Sequence, residues 1–323
     1  MKRNEYIDYL KGILIFFVVL GHAYVIHSDE MWLIYRFHMP LFFMISGYLF
    51  NNKRDFKIFT KQKIKSLIIP YILFFIISFI ANQLFFDKIG IRTLIKAFLL
   101  NGKYLIYVHN WALWYLPTFF IVALFFYPLS KIKNKKISIL LMILFAISTV
   151  PTYKICNKVF VDEYMPLTMQ VIPAGIFYMF VGYLFNQYQK KIKLSDNKKL
   201  IISIICFTLG ILISLCTKRS EILRISTYRY VATSILLIPF IILITKDNKN
   251  KIITYLGKNS LAILGLHLLI IDALKRYNFY ELLSKHGLSY KYSSLLVAFL
   301  VVILVCILNE INIFLKNKIY KKN

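Results

Sequence analysis

Ten stretches of this chain are apolar over close to the roughly 20 residues that a helix needs to cross about 30 Å of hydrocarbon, and their length limits the possible folds more than any other feature. They lie at about 7–26, 31–50, 67–86, 111–130, 137–153, 169–187, 200–216, 230–245, 252–274 and 292–315. Buried strands of soluble proteins also read as apolar runs, but those are only about four to eight residues long. With 59% hydrophobic residues, 17% charged residues and a mean hydropathy of +0.65, the chain carries more apolar surface than a soluble domain of 323 residues could bury. A bilayer must therefore be its solvent. The expectation is an all-α, polytopic membrane helix bundle of about ten transmembrane helices, forming one integral-membrane domain over residues 1–323. No soluble domain, linker, low-complexity stretch or internal repeat interrupts the pattern.

The net charge of +27 does not signal a nucleic-acid partner, because the 41 Lys and Arg lie mostly in short tracts between apolar runs. Residues 53–65 hold six cations, 131–136 four and 190–199 five. With the N-terminus inside, the even-numbered connections and both termini carry Lys and Arg at more than twice the density of the odd-numbered connections. That bias puts both termini in the cytoplasm and the tracts against anionic membrane lipid. The outer connections at 87–110, 151–168 and 275–291 are longer and richer in aromatic residues. Lys2 and Arg3 ahead of an apolar stretch mimic a secretory signal, but the stretch is followed by His27-Ser28-Asp29-Glu30 and no small-residue cleavage site, so it reads as a retained first helix. The four cysteines show no CxxC spacing, and neither a disulfide framework nor a metal site is expected.

Ionisable residues within membrane helices are costly, face the bundle interior by default and mark function. On the first helix Asp8, Lys11, Ile15, Val18 and His22 follow spacings of 3, 4, 3 and 4, which is one stripe of an α-helix. Lys11 and His22 then stand about 16 Å apart along the axis on one face. Asp8 and Lys11 also read as interfacial side chains that snorkel to water, whereas His22 lies deep enough to need a partner. His267 falls at nearly the same depth, and His38, Trp111 and Trp114 enter their segments from outside, so these residues converge on one pocket in the outer half of the bundle. The competing account of them is an aromatic belt with a satisfied core histidine. His109 belongs to the rim of such a pocket; His27 and His286 are loop residues. On the opposite side Lys61, Lys63 and Lys65 precede Leu67-Ile68-Ile69-Pro70. Positive-inside anchoring accounts for them, and so does phosphate binding. No GxGxxG, P-loop, HExxH or GxSxG elbow is present, nor a carboxylate pair placed for glycoside chemistry.

The run Tyr6-Ile7-Asp8-Tyr9-Leu10-Lys11-Gly12, then Val19-Leu20-Gly21-His22, then Phe37-His38-Met39-Pro40-Leu41-Phe42-Phe43-Met44-Ile45-Ser46-Gly47-Tyr48-Leu49 strongly resembles the opening of the membrane acyltransferase-3 family, and particularly its fucose 4-O-acetylase-like branch. Lys65-Ser66-Leu67-Ile68-Ile69-Pro70-Tyr71, Leu113-Trp114-Tyr115-Leu116 and Leu256-Gly257-Lys258-Asn259-Ser260-Leu261-Ala262, leading to His267, continue the likeness over nearly the whole chain. The resemblance implies ten helices in a bacterial cytoplasmic membrane and an O-acetyltransferase that uses cytoplasmic acetyl-CoA as donor substrate, with no bound cofactor. The implied acceptor is a hydroxyl of a surface glycan or lipid-linked sugar, in a capsule or other polysaccharide. It assigns catalysis to the first helix, where Lys11 and His22 match the family's basic residue, ten positions and histidine, and Asp8 lies beside them. Many members have Arg where this chain has Lys11, and Lys offers a point charge in place of a planar fork. The family's basic pair ahead of the third helix falls on Lys63 and Lys65. The chemistry agrees with that role, since acetyl transfer needs a base that takes a hydroxyl proton near neutral pH and histidine is suited to it. The alternative is a polysaccharide exporter, in which the aromatic pocket is a passage and His22 a gate or proton relay.

Overall fold

The computed structural model describes residues 5–24, 29–100, 102–159, 166–191, 194–216, 227–245 and 250–320. Among them every regular element is a helix. The chain runs through α1 (Glu5–Ala23), α2 (Asp29–Tyr48), α3 (Phe56–Lys63), a π-helical turn (Ile64–Ile68), α4 (Ile69–Phe85), α5 (Ile91–Leu100) and two 3-10 turns (Gly102–Val108 and Trp111–Trp114). It continues through α6 (Tyr115–Leu129), α7 (Lys135–Val159), α8 (Ile172–Tyr188), α9 (Asp196–Leu215), α10 (Tyr228–Thr245), α11 (Lys251–Lys258), α12 (Ser260–Arg276), α13 (Phe279–Lys285) and α14 (Tyr290–Tyr320). Each of the ten apolar stretches is helical over its described residues, apart from the break at Asn259, and the connections at 87–110 and 275–291 carry short helices of their own in α5 and α13.

Among the described residues eight helical segments are long and apolar enough to cross a membrane, and nine if α11 and α12, which meet at 82°, count as one broken span. The remaining stretch, α2, has the length of a span, at 20 residues, but not the apolar character, because it carries Arg36, His38 and Pro40 within it. Arg36 and His38 are both buried. A helix too polar for lipid is stable here because other helices surround it.

The helices divide into inner and outer ones. The most apolar window of α1 is 72% buried inside the bundle and those of the α6 and α8 spans 61% each, against 22% for α7 and 11% for α9. The outer helices turn exposed Ile, Leu and Phe outward, as at Ile143, Ile147, Ile204, Ile205, Phe299, Ile303 and Ile307. Lipid tails solvate such faces as well as a protein core would, so contact between helices depends on fit. Glycine supplies the fit at two crossings. A methyl group on Gly12 would meet the Ile253 carbonyl and one on Gly257 the Asp8 carbonyl, so α1 and α11 pack backbone to backbone. Gly47 against the Met179 carbonyl and Gly182 against that of Met44 do the same for α2 and α8. Asn259, between α11 and α12, holds the break with a bond from its Nδ2 to the Tyr255 carbonyl (3.0 Å) and one from Asn309 Nδ2 to its Oδ1 (2.8 Å).

Candidate active site

The stripe on α1 faces the bundle. Asp8, Ile15, Val18 and His22 are buried and Lys11 is half-buried. His22 stands on the last turn of α1, where the helix has carbonyls without intrahelical donors. Lys275 Nζ donates to the His22 carbonyl (3.4 Å) and Tyr280 Oη to that of Ala23 (2.7 Å). A cation at this end also complements the helix dipole. The end of α1 that carries His22 is thereby tied to α12 and α13.

Around the His22 ring three side chains meet. Tyr35 Oη lies 2.7 Å from His22 Nδ1. The Trp111 ring stands edge-on at 4.3 Å between centroids, and the His267 ring is stacked at 5.2 Å. Tyr35 in turn meets the edge of the His38 ring at 5.2 Å. The positive charge of Lys275 acts on the same imidazole. The other two histidines have their tautomers dictated by the backbone. His38 Nδ1 is 2.7 Å from the Ile34 carbonyl, and His267 Nδ1 is 2.8 Å and 3.0 Å from the carbonyls of Ile263 and Leu264. A carbonyl only accepts, so Nδ1 carries the hydrogen in both and Nε2 is left as the acceptor. His267 Nε2 is buried with no hydrogen-bond partner among the described residues. Three imidazoles thus converge, yet no group of three His, Cys, Asp or Glu side chains among the described residues is placed to hold a metal ion.

The structure therefore brings together His22, His38, His267 and Trp111, and does not bring Trp114 to them. Trp114 ends the 3-10 turn that Trp111 begins, packs edge-on against Tyr115 at 6.0 Å and is half-buried. The turn is anchored from before it: Asn110 Nδ2 donates to Ser78 Oγ and to the Gly265 carbonyl, each at 2.8 Å. His109, at a positive φ of 52°, stacks on Phe86 at 4.1 Å and meets Asp272 at 3.1 Å. His286 is exposed at the end of α13, and His27 lies outside the described residues.

At the other end of α1 a second cation approaches Lys11. Lys63 is half-buried, with Nζ 4.9 Å from the Phe119 ring centroid and 5.5 Å from that of Phe59, and the charge of Lys11 acts on it. Lys61 and Lys65 are exposed, so the three lysines do not form one cluster. The two ends of the stripe carry different chemistry: two cations at one, a proton acceptor among aromatic rings at the other, about 16 Å away by helical rise.

Reading the sequence alone passed over Tyr35, Lys275 and Arg36. Tyr35 stands three residues before His38 and so on its face of α2, which is a signal the spacing already contained. Arg36 met the same test as His22, an ionisable residue inside an apolar run.

The acyltransferase domain of the acyltransferase-3 family matches residues 4–309 of this chain. The chain is similar to nodulation protein NolL of Sinorhizobium fredii, with 27% identity over 205 residues, 58% of this chain and 50% of that protein. It is also similar to nodulation protein NolL of Mesorhizobium japonicum, with 40% identity over 82 residues, 21% of this chain and 22% of that protein. The matched stretches thus span half the length of the first of these curated relatives and less of the second. No solved structure matches.

Proposed function

The chain belongs to the acyltransferase-3 family, and from that premise we propose that it moves an acetyl group from cytoplasmic acetyl-CoA to a hydroxyl of a surface glycan or lipid-linked sugar, in a bacterial cytoplasmic membrane. The observation that carries the reading is His22, a buried imidazole positioned by the Tyr35 hydroxyl and stacked on His267. In the tautomer that donates Nδ1–H to the Tyr35 oxygen, Nε2 of His22 is free to act as a base. It takes the proton of the acceptor hydroxyl as the oxygen attacks the thioester carbonyl. The C–S bond then breaks, the acetyl group remains on the acceptor oxygen, and the proton passes from His22 to the departing CoA sulfur. A thiolate is a weaker base than an alkoxide, which favours collapse in this direction.

Lys11 and Lys63 suit the donor end, since CoA is anionic and its thioester arm is long and thin. The arm runs along the α1 stripe from these cations toward His22. Trp111 supplies an aromatic face against which a sugar ring can pack.

The test is His22→Ala, measured for insertion, surface glycan and glycan O-acetylation. Loss of a general base costs about 10²–10⁴ in rate, so acetylation should fall to background with insertion and glycan intact. His22→Gln keeps a hydrogen bond but cannot take the proton, and should fare little better. Undiminished acetylation in His22→Ala sinks the mechanism, and loss of the glycan itself points to export.

A further inference from the structure

Arg36, in the middle of α2, heads the fully buried side chains by size, with none of its surface exposed. Its Nη1 reaches Thr233 Oγ1 on α10 at 3.4 Å, a long bond. Its Nε and Nη2 are buried and have no hydrogen-bond partner among the described residues. Those two N–H groups lie on one edge of the planar guanidinium and form the fork that grips a carboxylate or phosphate by two parallel bonds. One corner of the group is therefore anchored while its anion-holding edge is unmatched.

The neighbouring polar groups among the described residues do not supply the missing charge. Tyr178 Oη is paired with Ser234 Oγ at 2.6 Å, and Tyr230 Oη donates to the Tyr35 carbonyl at 3.0 Å. They are neutral hydroxyls with partners of their own. A guanidinium stays protonated, and a buried charge without a counter-ion is strongly unfavourable. Arg36 and Tyr35 are consecutive, so α2 directs one toward α10 and the other toward His22, about 100° apart.

From this we infer that the Nε/Nη2 edge of Arg36 is an anion subsite and that the acceptor carries an oxyanion, either the carboxylate of an acidic sugar or the phosphate of a lipid-linked one. The assignment of that anion to the acceptor rests on the acyl-transfer reading above. Because the edge has no exposed surface, the seam between α2 and α10 parts to admit the anion.

Thermal unfolding of the full-length protein in an uncharged maltoside tests this, with sodium glucuronate, inorganic pyrophosphate, glucose and sodium chloride of matched ionic strength as probes. Glucuronate or pyrophosphate should raise the midpoint by about 2–4 °C at a concentration several-fold above its Kd, while glucose and chloride should not. A shift by glucuronate alone identifies the acidic sugar, and by pyrophosphate alone the lipid-linked phosphate. Arg36→Met and Arg36→Gln should lose the shift, and Arg36→Met should melt no lower than wild type without anion, because it removes an uncompensated charge. Arg36→Lys keeps the charge without the fork and should retain the fold but little of the shift. The effective anion should also inhibit incorporation of labelled acetyl groups by wild-type membranes. No shift in wild type, an equal shift in the variants, a much lower midpoint for Arg36→Met, or an absence of inhibition overturns the proposal. His22→Ala should keep the anion shift, so failure of acyl transfer as the function leaves the anion site to be judged separately.

Discussion

Tyr35 occupies Nδ1 of His22 and leaves Nε2 as the nitrogen without that partner. Its hydroxyl, 2.7 Å from Nδ1, orients the ring, and the stacked His267 and edge-on Trp111 restrict the ring's rotation. The second imidazole, His267, holds its Nδ1 hydrogen against its own helix and turns a bare acceptor to its surroundings. Tyr35→Phe removes only the hydroxyl and leaves the ring packing in place. Loss of one positioning hydrogen bond, about 1 kcal/mol, should lower the acetyl-transfer rate roughly fivefold. The loss should appear in kcat with little change in KM for acetyl-CoA, as read from labelled acetyl incorporation in membranes. An unchanged kcat would remove Tyr35 from the mechanism.

At the scale of elements, the entry to the third span separates cations that lie close in sequence. Residues two apart on a helix differ by about 200° in direction, so Lys61 and Lys65 share one face and Lys63 takes the other. The turn that follows is widened, with the Ile69 N–H bonded to the Ile64 carbonyl five residues back. Proline accounts for the widening: Pro70 has no N–H to donate, and its ring would press on the carbonyl of Ser66 in a regular helix. Lys63 alone is turned in toward Phe59 and Phe119. Lys63→Gln should therefore raise the apparent KM for acetyl-CoA several-fold with normal insertion, while Lys61→Gln and Lys65→Gln should leave it unchanged. Equal effects at all three positions would show a diffuse electrostatic contribution in place of a site.

For the molecule as a whole, the sidedness turns on the bent pair α11–α12. If it crosses the membrane as one broken span, α13 emerges on the face opposite the 131–136 tract, and both termini share a side. Lys275 and Tyr280 bind the end of α1 near His22, so α13 also marks the face nearer the candidate site. In a chain freed of its four native cysteines, an impermeant thiol reagent added outside should label a cysteine placed at exposed Ser284 and not one at exposed Asn134. Labelling of Asn134 alone would invert the bundle, and labelling of neither would make α11–α12 a re-entrant hairpin.

The sequence by itself determined what depends on length and period. Apolar stretches of spanning length specified the helices, and the 3, 4, 3, 4 spacing specified the α1 stripe, because both are local properties of one helix. The buried Asp8, Ile15, Val18 and His22 lie where that period puts them. Crossings between remote segments decided the rest. Trp111 meets His22 and Trp114 does not, although both lie on one short turn, because that turn is anchored to Ser78 and Gly265. Lys275 reaches His22 across 253 positions of sequence, and the glycine contacts of α1 with α11 bring the two segments together backbone to backbone. The open edge of Arg36 is a fact of the same kind. Its charge is visible in the sequence, but only the packing of α2 against α10 shows that no described side chain answers it.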